Sequence, residues 1–340
     1  MDNNGIPYIV AHYTTLLLQQ QWFLRKLSLL IGCTIVMHIY FDNISQKEGM
    51  SQVRKRSKKI ILYIFIAVIA IVAFSYYQNN ALSVTKFRIS SDKLPNGFDS
   101  YRIVHLTDIH SKSFGKNQSN LVRKVKKLKP DLIAVTGDLV DRRKYNAEAS
   151  IILMREMTKL APVYYVTGNH ECCRSKFEPL GKQLNELGVH VMRKKSEFIK
   201  LGQGEIRIAG VDDPTFNQHA DGNAAKLNQH IGAALGTGTS DAFTILLSHR
   251  PELFSVYVQN KMDLTFSGHA HGGQVRLPFA GGLIAPGQGF LPRYDAGKYV
   301  EGDSTLIVSR GLGNSIIPQR LFNRPEIVMV ELTPQSPPNE

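Results

Sequence analysis

Five short segments of the sequence carry the Asp, Asn and His side chains that commonly bind metal ions. Taken singly, each segment is weak evidence, because an Asp or Asn after a strand is usually a turn or a helix cap. Their order and spacing carry more weight. The segments are Asp108-Ile109-His110, Gly137-Asp138-Leu139-Val140-Asp141, Gly168-Asn169-His170-Glu171, Ser248-His249-Arg250 and Gly268-His269-Ala270-His271.

Each segment follows a stretch that is typical of a buried β-strand. Asp108, Asp138 and Asn169 are separated by 30 and 31 residues, which is one βαβ unit each. The loops beyond the carboxyl ends of strands build the site in open α/β sheets, so the segments are predicted to meet. Neighbouring glycines let the backbone turn tightly there. The five predicted strands are Tyr101–Thr107, Leu132–Thr136, Val163–Thr167, Phe243–Leu247 and Met262–Phe266.

The rest of the chain after about Ser90 continues the alternation of strands and amphipathic helices. We expect a Gly/Thr-rich loop over Gly232–Thr239. The alternation predicts an α/β fold with substantial parallel sheet. The further predicted elements are helices at Asn120–Lys129, Ala147–Leu160 and Phe177–Leu187 and strands at Glu205–Val211, Thr305–Ser309 and Ile327–Leu332.

The ordered set D-x-H, G-D-x-x-D, G-N-H-E, H and G-H-x-H resembles the calcineurin-like metallophosphoesterase superfamily. The resemblance covers roughly Ser90 to Leu332 and implies a two-sheet β-sandwich flanked by helices. It places the catalytic domain at 90–333 and a flexible tail at 334–340. The stretch SRGLGNSIIPQRLFNRPEIVMVEL further resembles a bacterial membrane-anchored or exported branch, related to the Bacillus cell-wall-associated phosphoesterase. Relatives often carry an aromatic residue after G-N-H-E, where this chain has Cys172 and Cys173.

The resemblance also implies roles for the residues. Two divalent ions (Mn, Fe or Zn) would share Asp138, and a hydroxide bridging them would attack phosphorus in line. Asn169 would act in catalysis as a ligand, and His170 would contact the phosphate and protonate the leaving oxygen. The remaining ligands would be Asp108, His110 and His271 for the first ion and Asn169, His249 and His269 for the second.

Four other polar residues lie near these motifs. Three of them have two possible roles each, and the fourth is expected to be structural. Glu171 is expected to orient His170 or to form an outer hydrogen bond, and Asp141 to support the loop or a ligand histidine. Arg250 either holds a phosphate or lies outside the site. His105, inside the first strand, is expected to be structural.

An apolar run without charges precedes the α/β region. Residues 60–77 would span about 27 Å as a helix, close to the thickness of a bilayer core. The basic RKRSKK stretch before the run predicts that residues 1–59 are cytoplasmic and that the catalytic domain is extracytoplasmic. A buried core helix and a cleaved signal peptide are the alternatives, although no A-x-A cleavage pattern follows. A second apolar run, residues 27–41, is a further span, an interfacial segment or part of a misassigned extension before Met50.

Composition limits the class of protein. With 340 residues, 43% of them hydrophobic and 20% charged, the chain is neither wholly disordered nor a polytopic membrane protein. Three cysteines exclude a disulfide scaffold. The net charge of +13 suits an anionic substrate or surface but does not identify either. A nucleic acid substrate is not expected, because the chain has a membrane anchor and lacks a concentrated basic helix.

The sequence therefore predicts a membrane-anchored, metal-dependent phosphodiesterase or phosphomonoesterase. One alternative is a lipid pyrophosphate hydrolase of the UDP-2,3-diacylglucosamine type, which requires a cytoplasmic catalytic domain. Another is a binding module without activity. Loss of a ligand or of His170 would mark such a module, and none is lost.

Overall fold

The computed structural model describes residues 51–171, 174–216, 224–237, 240–277, 279–314 and 317–335. The chain divides into two compact units, Met1–Phe74 and Ser75–Glu340. The predicted cytoplasmic segment before Ser51, including the apolar run 27–41, lies outside the described residues, as do Cys172, Cys173 and the tail after Gln335.

Helix α1 (Ser51–Asn80) contains the predicted anchor. Its stretch Arg56–Asn80 is long and apolar enough to cross a membrane, and it is the one such helix in the described part of the chain. Apolar side chains are exposed all around it, including Leu62, Ile66 and Ile71. A helix that is apolar on every face belongs in a core or a bilayer, and this one is not buried in protein.

The first sheet of the second unit has the strand order β1-β16-β2-β3-β4-β5. β1 is parallel to β16, β16 is antiparallel to β2, and β2 to β5 run parallel. The strands are β1 (Ser83–Ser91), β2 (Tyr101–Leu106), β3 (Leu132–Thr136), β4 (Val163–Val166), β5 (His190–Val191) and β16 (Glu326–Pro334).

The second sheet has the order β14-β15-β9-β8-β7-β6. Its inner strands β7, β8, β9 and β15 run parallel, and antiparallel hairpins form both edges. The strands are β6 (Lys195–Leu201), β7 (Gly204–Gly210), β8 (Thr244–Leu247), β9 (Leu264–Ser267), β14 (Gly297–Glu301) and β15 (Ser304–Val308). Between β9 and β14 lie two small hairpins, β10 (Arg276–Leu277) with β11 (Gly281–Gly282) and β12 (Ile284–Ala285) with β13 (Gly289–Phe290).

The two sheets pack face to face through alternate residues of their strands. Ile103 and Ala134 of the first sheet join Ile245 and Phe266 of the second in one fully buried cluster. Successive side chains of a strand point to opposite faces, so the neighbouring residues turn outward toward helices. Helices α2 (Ser119–Leu128), α3 (Ala147–Thr158) and α4 (Arg174–Glu186) cover the first sheet, and α5 (Ala224–Leu235) and α6 (Phe254–Gln259) cover the second.

This architecture confirms the predicted two-sheet sandwich flanked by helices. The predicted loop at Gly232–Thr239 is wrong in its first half, because α5 continues to Leu235. Ile231 and Ala234 are buried against the second sheet, and this apolar face prolongs the helix through Gly232. The first sheet begins with β1 at Ser83, a strand that the sequence interpretation omitted.

Candidate metal centre

The five polar segments lie in the loops that follow β2, β3, β4, β8 and β9, and they meet at one end of the sandwich. The described residues form three groups of possible ligand atoms, and within each group all atoms are within 4.8 Å of one another. One group combines His110, Asp141 and His170, and the other two share a residue. Asp138 belongs to both groups. The first contains Asp108, His110, Asp138 and His271, and the second contains Asp138, His249 and His269.

The first group is fully enclosed. The Nε2 atom of His271 lies 3.2 Å from Oδ1 of Asp108, and Nε2 of His110 lies 3.5 Å from Oδ2 of Asp138. The two Nε2 atoms are themselves 3.2 Å apart. Two imidazole nitrogens and two carboxylates thus point at the same small volume, as the ligands of a divalent cation do.

The second group is organised around His249. Its Nδ1 donates to the carbonyl of Thr136 at 2.7 Å, which leaves Nε2 to face Oδ2 of Asp138 at 3.4 Å and Oδ1 of Asn169 at 3.2 Å. A hydrogen bond of this kind from the second ring nitrogen typically orients a metal-binding histidine. Nε2 of His269 is buried and has no hydrogen-bond partner among the described residues. A bound cation would satisfy that nitrogen.

The buried carboxylates of the centre favour bound positive charge. Burial raises the pKa of Asp108. Burial also acts to raise the pKa of Asp138, but the imidazoles of His249 and His170 outweigh it and hold that pKa well below its usual value. Burial opposes the charged form of His249, yet Asp138 raises its pKa to about 10. A dense set of buried carboxylates and imidazoles therefore fits divalent ions better than it fits neutral packing.

Most of the candidate ligands have a left-handed backbone. The φ angles are 51° for Asp108, 48° for His110, 50° for Asp138, 64° for His269 and 49° for His271. Such conformations cost about 1–2 kcal/mol for residues other than glycine. Backbone strain of this kind concentrates at functional sites, where the surrounding structure maintains it.

Glycines allow these loops to pack closely against the carboxylates. A Cβ at Gly168 would lie 2.3 Å from Oδ1 of Asp138, and a Cβ at Gly268 would lie 2.3 Å from Oδ2 of Asp108. The sequence interpretation assigned these glycines to tight turns. Their steric role beside the carboxylates adds a reason why no side chain fits at either position.

Several supporting residues were missed from the sequence. The backbone N–H of Gly313 donates to the carbonyl of Asp108 at 2.5 Å, and a Cβ at Gly311 would lie 2.7 Å from the Asp108 Cβ. Asn323 donates through Nδ2 to the carbonyl of His271 at 2.7 Å. The glycines of the SRGLGN stretch were the available signal, but pairing them with Asp108 requires the fold.

The hydroxyl of Thr107 was missed too. It lies 2.9 Å from Oδ2 of Asp108 and 2.9 Å from the carbonyl oxygen of Thr136. It therefore joins the loop after β2 to the end of β3. A threonine at the end of a strand has no distinctive sequence signal, because threonine is common in strands.

Of the two roles predicted for Glu171, the structure shows the outer hydrogen bond. Its carboxylate accepts hydrogen bonds from the backbone N–H groups of Asp138, Val140 and Gly168, at 2.9, 3.1 and 2.7 Å. It thereby fastens the G-D-x-x-D loop to the G-N-H-E loop. Burial raises the pKa of Glu171 to about 7, and the charge of Asp138 adds to this effect.

The other ambiguous residues have defined positions. Asp141 accepts from the backbone N–H groups of Arg143 and Lys144 and lies 3.6 Å from Nδ1 of His110, so it supports both the loop and that histidine. Arg250 is buried in an ion pair with Asp213 at 2.8 Å, which excludes it as a free phosphate-binding side chain. His105 is buried against Thr136 at 2.7 Å, as expected for a structural residue.

Comparison with known sequences agrees with this geometry. The profile of the calcineurin-like phosphoesterase family matches residues 101–273, which hold every one of the five segments. The chain belongs to the calcineurin-like phosphoesterase family. It is accordingly a metal-dependent phosphohydrolase with a dimetal site formed in the buried His/Asp cluster.

Relatives of this phosphoesterase occur in bacteria and animals. It is 30% identical over 278 residues to an uncharacterised metallophosphoesterase of Aquifex aeolicus, covering 79% of this chain and 98% of the relative. It is 29% identical over 263 residues to the uncharacterised metallophosphoesterase YkuE of Bacillus subtilis, covering 76% and 87%. It is 29% identical over 297 residues to a Bos taurus protein named transmembrane protein with metallophosphoesterase domain, covering 84% and 64%.

Proposed function

We propose that this phosphoesterase hydrolyses phosphodiesters or phosphomonoesters with two ions of Mn, Fe or Zn. The sharing of Asp138 between two ligand groups is the observation that carries the proposal. Its Oδ2 lies 3.5 Å from Nε2 of His110 and 3.4 Å from Nε2 of His249. When bound, two such ions activate a water as the nucleophile and neutralise the phosphoryl oxygens. The proposed ligands are Asp108, His110, Asp138, Asn169, His249, His269 and His271.

His170 is the proposed proton donor. The backbone N–H of Arg142 donates to its Nδ1 at 3.1 Å, so the neutral ring carries its proton on Nε2. Nε2 lies 4.0 Å from Oδ2 of Asp138, and the side chain is 12% exposed, so an ester at the centre is within its reach. In the neutral ring the Nε2–H group donates a hydrogen bond to the ester oxygen. To act as the acid, the ring first binds a second proton at Nδ1, 3.9 Å from Oδ2 of Asp141, in place of the bond from Arg142; the imidazolium then gives its Nε2 proton to the leaving alkoxide as the P–O bond breaks and returns to the neutral form.

Metal reconstitution tests this function. The full-length chain, purified in detergent and stripped of metal, should cleave bis-p-nitrophenyl phosphate or p-nitrophenyl phosphate only after Mn, Fe or Zn is restored. The rate ratio of the two substrates assigns a diesterase or a monoesterase. Folded protein that binds two ions and cleaves neither ester would refute the proposal for these substrate classes.

His170→Ala tests the proton donor separately. Metal content should stay at the wild-type value while turnover falls about 10²–10⁴-fold, with the larger loss for esters of poorly acidic alcohols. His190→Ala, at a half-exposed histidine of β5, is the control and should leave turnover unchanged. An equal loss on p-nitrophenyl and alkyl esters would contradict proton donation by His170.

We further propose that α1 anchors the chain in the cytoplasmic membrane with the catalytic domain outside. The basic residues 54–59 precede the apolar stretch, and positive charge favours the cytoplasmic side. Protease added to intact cells and to opened cells distinguishes the two orientations. The outer layers of the intact cells are permeabilised so that protease reaches the cytoplasmic membrane. If the catalytic domain is then protected from protease, it lies in the cytoplasm, as the lipid pyrophosphate alternative requires.

A further inference from the structure

Large apolar side chains project from the two small hairpins between β9 and β14. We call Leu277, Phe279, Phe290 and Leu291 the apolar rim. Their exposed fractions are 45%, 109%, 73% and 64%. A single exposed apolar residue is ordinary, but four on adjoining hairpins mark an interaction surface.

The apolar rim adjoins the metal centre. The first hairpin begins at Arg276, five residues after His271. Leu283 donates its N–H to the carbonyl of Val275 at 2.9 Å, and Leu291 donates to the carbonyl of Leu283 at 2.9 Å. These bonds join the two hairpins side by side.

The same hairpins are tied to the end of the candidate membrane span. The N–H of Arg276 donates to the carbonyl of Leu321 at 3.0 Å, in the loop 317–324. That loop contacts the last turns of α1 through several hydrogen bonds within the unit Ser75–Glu340. They include Ser75 Oγ to Gln319 Oε1 at 2.6 Å, Arg320 N to Asn79 Oδ1 at 2.8 Å and Arg324 Nη1 to the Tyr77 hydroxyl at 2.7 Å.

Two arginines near the apolar rim remain for an anionic surface. Of the five arginines in residues 271–294 and 310–325, Arg276 and Arg310 are paired with Asp295 and Glu326 at 2.8 Å and Arg320 is buried, which leaves Arg293 and Arg324. Arg293 is exposed beside the apolar rim, and its guanidinium lies 5.0 Å from the ring centroid of Tyr294. Basic side chains around exposed apolar ones are the combination that binds an anionic lipid surface.

We propose that the apolar rim inserts into the surface of the bilayer that holds α1. The inference rests on the proposed membrane anchoring, because the polar residues 75–80 end the candidate span and are bonded to the loop beside the rim. Insertion brings the metal centre to the level of the lipid headgroups. The occupant of this surface is the lipid itself, and phosphate groups displayed at the membrane would reach the centre without leaving it.

Quenching of tryptophan by brominated lipid tests the insertion. The full-length chain with Trp22→Phe, which removes the one native tryptophan, is reconstituted into vesicles of phosphatidylcholine and phosphatidylglycerol. Phe290→Trp reports on the apolar rim. Phe198→Trp is the matched control, because Phe198 is 45% exposed and lies in β6, at the edge of the second sheet opposite β14.

The expected result is roughly twofold quenching of Trp at 290, as for an indole about 5–10 Å into the headgroup boundary, and no quenching at 198. No quenching at either position, or equal quenching at both, would overturn the proposal. Flotation of the vesicles is measured first, and failure of the protein to float would refute the anchor on which the inference rests. Both variants should retain wild-type hydrolysis of bis-p-nitrophenyl phosphate if the proposed function holds, which keeps the two failures apart.

Discussion

The two halves of the metal centre are held in place by different means. In the first half, Asp108, His110 and His271 all have left-handed φ angles, and the backbone N–H of Gly313 and the side chain of Asn323 donate to the carbonyls of Asp108 and His271. In the second half, His269 also has a left-handed φ angle, but Asn169 and His249 do not, and side-chain bonds hold these two.

This difference determines which substitutions each half tolerates. The first half depends on loops with little space, so added side-chain volume should disturb it. The second half depends on polar partners in a buried network, so loss of charge should disturb it. Asp138 belongs to both halves, so loss of its charge should disturb both.

Asp138→Asn should give the largest effect, because it removes the shared carboxylate from both halves. We expect activity and metal affinity to fall by more than the roughly 100-fold typical of residues that only support a metal ligand. Metal content by plasma mass spectrometry and initial rates check this. Asp131→Asn, at an exposed aspartate before β3, is the control. Near-normal activity of the Asp138 variant would remove the idea of a shared ligand.

Asp213→Asn should affect the second half selectively. Burial acts to raise the pKa of Asp213, but the guanidinium of Arg250 holds it below its usual value. Breaking this buried pair beside His249 should cost about 3–5 kcal/mol of unfolding free energy. Bound metal should fall from two ions toward one, measured together with chemical unfolding. Loss of both ions in otherwise folded protein would show that the halves are not independent.

Gly311→Ala should affect the first half selectively. The φ angle of Gly311 is 70°, and the new Cβ would lie 2.7 Å from the Asp108 Cβ. We therefore expect the free energy of unfolding to fall by about 2–3 kcal/mol. Gly302→Ala is matched, with φ of 57° and no atom within 4 Å, and should cost about 1 kcal/mol. Only the first variant should lower metal content. If both variants retain two ions, the contact with Asp108 does not control the first half.

His105→Asn should have the smallest effect on the metal centre. His105 contacts Thr136 and is not a ligand in either half. Burial lowers the pKa of His105 to about 3. Below pH ~6.5 the unfolded chain therefore binds more protons, and the folded state loses about 1.4 kcal/mol per pH unit down to pH ~3. Unfolding of metal-free protein at several pH values should show this loss in the wild type and less of it in the variant. If the free energy of unfolding has the same pH dependence in both proteins, the pKa of His105 is not lowered by burial.

Much of the fold and of the candidate site is legible in the sequence. Periodicity located β3 at Leu132–Thr136 without error, because a fully buried parallel strand is a continuous apolar run. The polar segments at strand ends identified Asp138 and His249 as candidate metal ligands. The periodicity failed at Gly232, because burial of Ile231 and Ala234 extends the helix across a residue that ordinarily ends one.

The chemistry of the centre was determined by the sequence alone, since the types and order of its Asp, Asn and His residues define a family of metal sites. Tertiary structure decided what supports them. Gly311, Gly313 and Asn323 follow Asp108 by 203, 205 and 215 residues, and only the pairing of distant strands brings such residues together. The bond between the loop 317–324 and the end of α1 is equally non-local. Contacts of this kind depend on the packing of the whole sandwich, and short-range sequence patterns do not encode them.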